Sequence, residues 1–226
     1  MDVHPPHKPI TNTKEFFLHL LTITIGLLIA VGIEGMVEYF HHRHLVHEAQ
    51  ENLRGEIEHN HSSMSSALGT VEEEQAAIDK NIAVLQRIRA NPDDKDAQNG
   101  PLNAHFDITT LDNTAWKAAQ ATGAMSYMPY DKAETYASIY SLQDAFDAAQ
   151  NKQLEDVALF MGMIEKNQGG SNVKLSRQQA EEELALLGTW KMHLVWGHLS
   201  AKICDADYKA FLEGKPAPKS MHEEIK

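Results

Sequence analysis

The sequence predicts an all-α protein: one N-terminal transmembrane helix that continues into a long stalk helix, and a helical hairpin or bundle beyond it. Three observations predict this class. Residues Phe16 to Val37 read FFLHLLTITIGLLIAVGIEGMV, 22 positions without Lys, Arg or Pro. From His41 to Arg89 there is again no proline, and apolar residues recur at helical spacing. After that, Pro and Gly fall in short clusters that punctuate further long helical stretches.

In chain order, residues 1–12 hold three prolines and no periodic pattern, and read as a flexible tail. The anchor takes residues 13–41, with Thr11 or Thr13 as N-cap and Glu15 suited to a first turn. At ~1.5 Å per residue, the apolar run covers about 33 Å, enough to cross the hydrocarbon core of a bilayer. Its polar interruptions are His19, Thr22, Thr24 and Glu34. Helical threonines bond back to the i−4 carbonyl, while His19 and Glu34 lie near interfacial water. The run is too long for a typical signal-peptide core, and Gly32-Ile33-Glu34-Gly35 is a poor cleavage site, so an uncleaved anchor is expected.

Residues 42–213 form the extramembrane helical domain. Leu45, Ala49, Leu53 and Ile57 recur every four residues; Met64, Leu68, Val71, Gln75, Ile78, Ile82 and Leu85 then alternate spacings of four and three. That is a heptad seam, serving either a hairpin or bundle core or a self-associating coiled coil. Ser62, Ser63, Ser65 and Ser66 beside Gly69 mark a candidate bend. Asn91-Pro92 ends the helix, and residues 91–113 make a long polar connection. Phe106, Ile108 and Leu111 place the second half of that connection across the bundle.

A short helix from Asn113 to about Ala121, capped by Asp112 or Asn113, stops at Thr122-Gly123. The next helix begins near Pro129 and runs to about Lys166, with Tyr136, Tyr140, Leu154, Val157, Met161 and Ile164 inward. Residues 168–172 form a turn. The last helix takes 173 to about 213, with Leu184, Leu187, Leu194 and Ile203 apolar, and residues 214–226 are a tail. Leu184–Leu199 is too short and too polar for a second span. The expected arrangement is three long helices and one short one around a common core.

Thr114–Leu142 reads TAWKAAQATGAMSYMPYDKAETYASIYSL: a Trp, a Thr-Gly stop and a Tyr-rich helix, preceded in the chain by a single span ending in an acidic residue. This pattern resembles bacterial domain-of-unknown-function families of single-pass membrane proteins. The resemblance implies an N-terminal anchor with a helical extramembrane region, and no catalytic residue.

The net charge of −12 lies largely after His41 and argues against nucleic acid and against an anionic lipid surface as partners. One cysteine, Cys204, rules out an internal disulfide framework and a cysteine metal site. No nucleophile elbow, P-loop, Rossmann glycine pattern or Cys/His pair is present, so no catalytic, cofactor-binding or metal residue is assigned. Glu38-x-x-His41 and Glu56-x-x-His59 have the spacing used by di-iron bundles, yet lie on one helix about 27 Å apart. His41, His42, His44 and His47 read as a collar at head-group level, where weak metal binding or pH sensing stays open. Trp116, Tyr127, Tyr130, Tyr136, Tyr140, Trp190 and Trp196 read as core packing before a ligand pocket.

The remaining signal is in the anchor. Thr22, Gly26, Ala30, Glu34 and Glu38 are spaced by four along one drifting face, and Gly26-x-x-x-Ala30 is a small-xxx-small pair. The expected partners are the lipid bilayer and other transmembrane helices, from a partner subunit or a second copy. The expected protein is therefore a non-enzymatic, membrane-anchored accessory or assembly subunit. The alternative is a periplasmic helical sensor module signalling through a partner, because about 14 residues before the span supply no output domain. Lys8 and Lys14 on the N-flank favour an N-terminus in the cytoplasm of a bacterial cell, with the domain periplasmic.

Overall fold

A computed structural model describes residues 12–168 and 174–218, so much of both expected tails and most of the expected 168–172 turn lie outside the described residues. Five α-helices follow in order: α1 (Thr13–Ala90), α2 (Lys95–Gln98), α3 (Thr114–Ala121), α4 (Tyr130–Gln168) and α5 (Arg177–Leu212). A single 3-10 turn, Ala124–Tyr127, precedes α4, and there is no strand among the described residues.

Anchor and stalk are one helix of 78 residues. Its hydrogen-bonded pattern continues through the serine cluster and Gly69, where the sequence suggested a bend. The N-cap is Asn12, whose side chain accepts from the Lys14 amide at 3.2 Å; of the expected caps, Thr13 is already the first helical residue and Thr11 lies outside the described residues. At the far end, Arg87 grips Asp94 with two N–H···O bonds of 3.1 Å, and Asp94 in turn caps α2. The Ala97 amide leads the groups that hold the Asp94 carboxyl below the ordinary carboxylate range.

The bundle is an up–down–up–down arrangement in which one of the descending elements is not a helix. Glu56 of α1 meets Tyr140 of α4 and Asn60 meets Gln143, so α1 and α4 run parallel. Helix α5 runs against both, pairing His61 with Asp205, Asp79 with Lys191, and Gln143 with Tyr208. The missing descending element is the connection 101–113. Asn103 bonds to Asn81 and Asp112 to Asn60, so nine residues of strap match twenty-one residues of α1. At ~3.3 Å per extended residue and ~1.5 Å per helical residue, both spans are about 30 Å. The strap is extended chain laid antiparallel along α1. Leu111 is buried beneath it and Phe106 half-buried, whereas Ile108 faces solvent, contrary to expectation.

Two apolar clusters replace the single common core expected from the sequence. The first joins Leu53, Ile57 and Met64 to Tyr136, Tyr140 and Phe146 of α4 and to Cys204 and Tyr208 of α5. The second joins Ile78, Leu85 and Ile88 to Phe160, Trp190 and Leu194. Between them Glu74, Gln150, Gln153 and His198 line a cavity of about 40 Å³, roomy enough for a water molecule. Here α4 and α5 come close: a Cβ at Gly197 would collide with the Gln153 amide.

The heptad seam needs two corrections. Glu74 and Asn81 are buried where Gln75 and Ile82 were expected; Gln75 is exposed and Ile82 half-buried. The polar pair is accommodated because strap amides meet it. On α4 the expected inward residues Leu154 and Met161 are exposed, and Gln153 and Phe160 take the core. The inward face is displaced by one residue because polar Gln153 points in. The end signals on α5 are satisfied: Ser176 and Gln179 form a capping box, and Gly214, with φ +68°, closes the helix while the Lys215 amide reaches Ala210 O at 2.8 Å. The helix starts at Arg177, later than the expected residue 173.

Candidate functional site

Every residue from Thr13 to His41 is exposed, and the apolar window inside this stretch is 0% buried. No other helix among the described residues is long and apolar enough to cross a membrane. Along the expected docking face, the Thr22 hydroxyl donates to Leu18 O at 2.9 Å, and Thr24 likewise to Leu20 O at 2.8 Å. Their polarity is thus consumed within the helix. A Cβ added at Gly26 would meet nothing within 4 Å. Glu34 and Glu38 make no hydrogen bond or ion pair among the described residues, and Ala30 is open on the same side.

His42 and His47 have separate partners. His42 is stacked on Tyr127 with ring centroids 3.7 Å apart, while His47 Nε2 lies 3.5 Å from Glu51 on its own helix. No group of three or more His, Cys, Asp or Glu is disposed to hold a metal among the described residues.

Glu56, half of a Glu-x-x-His pair, has a structural task. Its Oε2 accepts the Ala115 amide at 2.7 Å, and its Oε1 accepts the Trp116 amide at 3.3 Å and the Tyr140 hydroxyl at 2.5 Å. A carboxylate from α1 therefore caps α3, and the expected local cap at Asn113 makes no side-chain bond. The placement matches the positive end of the α3 dipole. Burial pushes the Tyr140 hydroxyl upward, and its bond to Glu56 adds to the rise. Trp116 stacks on Tyr140, with centroids 4.9 Å apart.

A set of buried and half-buried amides was not anticipated from the sequence. Asn60, Asn81, Gln98 and Gln150 each pair with both the N–H and the C=O of one backbone residue: Asp112, Asn103, Leu175 and Thr109 respectively, at 2.6–3.1 Å. A side-chain carboxamide presents the same donor and acceptor as a peptide, so each pair is a one-residue ladder. Glu74 accepts the Asp107 amide at 2.9 Å. Burial is the main cause raising the Glu74 carboxyl above its ordinary range.

Three further groups complete the interior. Burial pushes the Cys204 thiol up to about 12, which keeps it protonated and unreactive. Glu183 is fully buried; its Oε1 accepts from Asn167 at 2.8 Å, and its Oε2 has no partner among the described residues. Desolvation raises this carboxyl too. Burial is also the leading cause that lowers the His198 imidazole, with Lys202 adding to it.

The seven aromatics do not share a pocket. Trp116, Tyr136 and Tyr140 belong to the first cluster and Trp190 to the second, while Tyr127, Tyr130 and Trp196 face outward. No family model, curated protein or solved structure matches the chain, so its functional interpretation rests on its own geometry.

Proposed function

We propose that this chain is a non-enzymatic, single-pass membrane protein, an accessory or assembly subunit that docks through its anchor helix onto a partner subunit or a second copy. The face used is Thr22, Gly26, Ala30, Glu34 and Glu38. It sits in a bacterial inner membrane, with the N-terminus in the cytoplasm and the helical domain in the periplasm. The observation that carries this proposal is the complete exposure of residues 13–41, which α2 to α5 leave uncovered. Water-driven burial cannot hold helices together in lipid; close backbone approach and polar contacts must, the latter worth ~0.5–2 kcal/mol each. Gly26 and Ala30 offer that approach, and an acidic residue such as Glu34 turns towards protein or water. The bundle supports the same view: its interior polar groups Glu56, Asn60, Glu74, Asn81, Gln143 and Gln150 are committed to backbone partners.

The test is Gly26→Leu and Ala30→Leu, with Ile29→Leu off the face as control. Loss of the native-gel complex is expected for the first two, with the parent's circular dichroism and melting curve retained. Parent-like migration of both would reduce the anchor to a tether.

A further inference from the structure

Helix α1 leaves its apolar run at Val37 and within two turns meets the 3-10 turn and the start of α4. Between them lies an open groove of about 820 Å³. Its charged and imidazole lining is Arg43, Lys132, His42, His44 and His47, with Tyr39 and Tyr127 at its sides, and it contains no Asp or Glu. In a chain of net charge −12 this is a local inversion of sign. A second cavity of about 390 Å³ shares His47, Gln50 and Lys132 with the groove and adds Arg54 and Glu51.

Among the described residues, the two full cations have no carboxylate within ion-pair distance. No ion pair among the described residues involves Arg43 or Lys132. The Arg43 guanidinium lies over the Tyr39 ring, 5.8 Å from its centroid. The stack of His42 on Tyr127 pins the 3-10 turn to α1 and fixes the groove's shape. Depth is the last constraint. The Arg43 backbone is six residues past Val37, about 9 Å along a helix and just outside a head-group layer of roughly 5–8 Å, into which a long Arg side chain reaches back.

We propose that this groove binds the phosphate of a membrane phospholipid head group. This rests on α1 spanning the membrane. Arg43 supplies a planar fork for two phosphate oxygens and Lys132 a point charge opposite it, from a different helix. Tyr39 and Tyr127 present rings with a polar tip, suited to the interface. A bound head group bridges α1 and α4, and so ties the bundle to the bilayer surface independently of the apolar run.

The experiment uses the full chain in detergent, titrated with phosphatidylglycerol and followed by native mass spectrometry. The parent should hold the lipid, and Arg43→Gln/Lys132→Gln should weaken binding at least tenfold. Lys117→Gln/Lys202→Gln removes the same charge from exposed sites on α3 and α5 and should match the parent. Both groove cations are exposed, so the variant should keep the parent's circular dichroism. Equal lipid binding by the groove variant and the parent overturns the proposal. So does inorganic phosphate binding as well as the lipid does, since that marks a site for a free anion. Alkaline carbonate extraction separates the two failures: release from the membrane sinks the span and the groove together, whereas retention with unchanged lipid binding sinks the groove alone.

Discussion

Helix α1 is one continuous element, yet its two halves obey opposite rules. From Thr13 to His41, apolar side chains face outward and nothing among the described residues covers them. From Leu53 onward, the buried positions include Asn60, Glu74 and Asn81, each with polar atoms held by backbone of the strap. Hydropathy alone would assign the first half to a core and these three residues to a surface. What decides burial is what each side chain can bond to: lipid asks only that backbone polarity be satisfied internally, while a strap without its own ladder needs side chains that imitate one.

The strongest way to break the comparison is to place the same change in both halves. Ile57→Asn puts an unmatched amide into the first apolar cluster and should cost about 4 kcal/mol in chemical denaturation of the bundle. Ile29→Asn should leave that bundle transition within about 0.5 kcal/mol of the parent. Similar losses at both sites would mean that the anchor also packs on the domain.

Next in size is Asn60→Ala. It strands the Asp112 N–H, leaves the Asp112 C=O to Gln143 alone and removes the Asn60 donor from Gln143 Oε1, so a loss of about 2 kcal/mol is expected. Amide exchange at Asp112 should rise more than at Asn103, whose Asn81 partner is intact. Uniform exchange along the strap would contradict the one-residue-ladder account.

Glu183→Gln works in the other direction. Its folded carboxyl is raised, so the folded state binds more protons than the unfolded one from pH ~4.5 up to the folded value. Its favourable contribution is therefore complete below pH ~4.5 and is lost as pH rises through that window. Glutamine removes the charge, and stability at pH 7 should increase by about 1 kcal/mol, with the gain vanishing towards pH 4. A loss at pH 7 would show that the carboxylate is paired after all.

The smallest effect belongs to Thr22→Val. The hydroxyl bonds only within its own turn, so membrane insertion and any native-gel complex should persist. A dissociated complex would mean that this hydroxyl is spent across a helix interface instead.

The fold was legible where punctuation and period were strong. No proline interrupts His41–Arg89, and the expected continuous helix is there; Asn91-Pro92, Thr122-Gly123 and Gly214 each end a helix. What escaped notice was polar. Leu53, Ile57, Asn60, Met64, then Glu74, Ile78, Asn81, Leu85 and Ile88 keep the three-and-four rhythm unbroken, so register continued through polar letters would have found the seam. Stepping from Met64 to Leu68 instead of to Ala67 moved it onto Gln75 and Ile82. The cap of α3 could not be read locally, since Glu56 lies 59 residues before Ala115. Of the candidate site, the exposed apolar run was legible from hydropathy, whereas its docking face is a proposal; the groove at Arg43 and Lys132 joins positions too far apart in the chain to suggest each other.

In the proposed anchor, an unbroken α1 also carries angular information from the apolar run into the bundle. At about 100° per residue, Gly55, Ser62 and Gly69 return to within about 20° of the direction of Gly26, and all three are exposed. Leu53 and Ala30's opposite number Ile57 point about 180° away, into the bundle. A helix seated on Gly26 and Ala30 would thus emerge along the bare back of the stalk, clear of α4 and α5. One residue inserted between Phe40 and His41 would swing the anchor by about 100° while leaving both halves intact, making azimuth a variable separable from affinity.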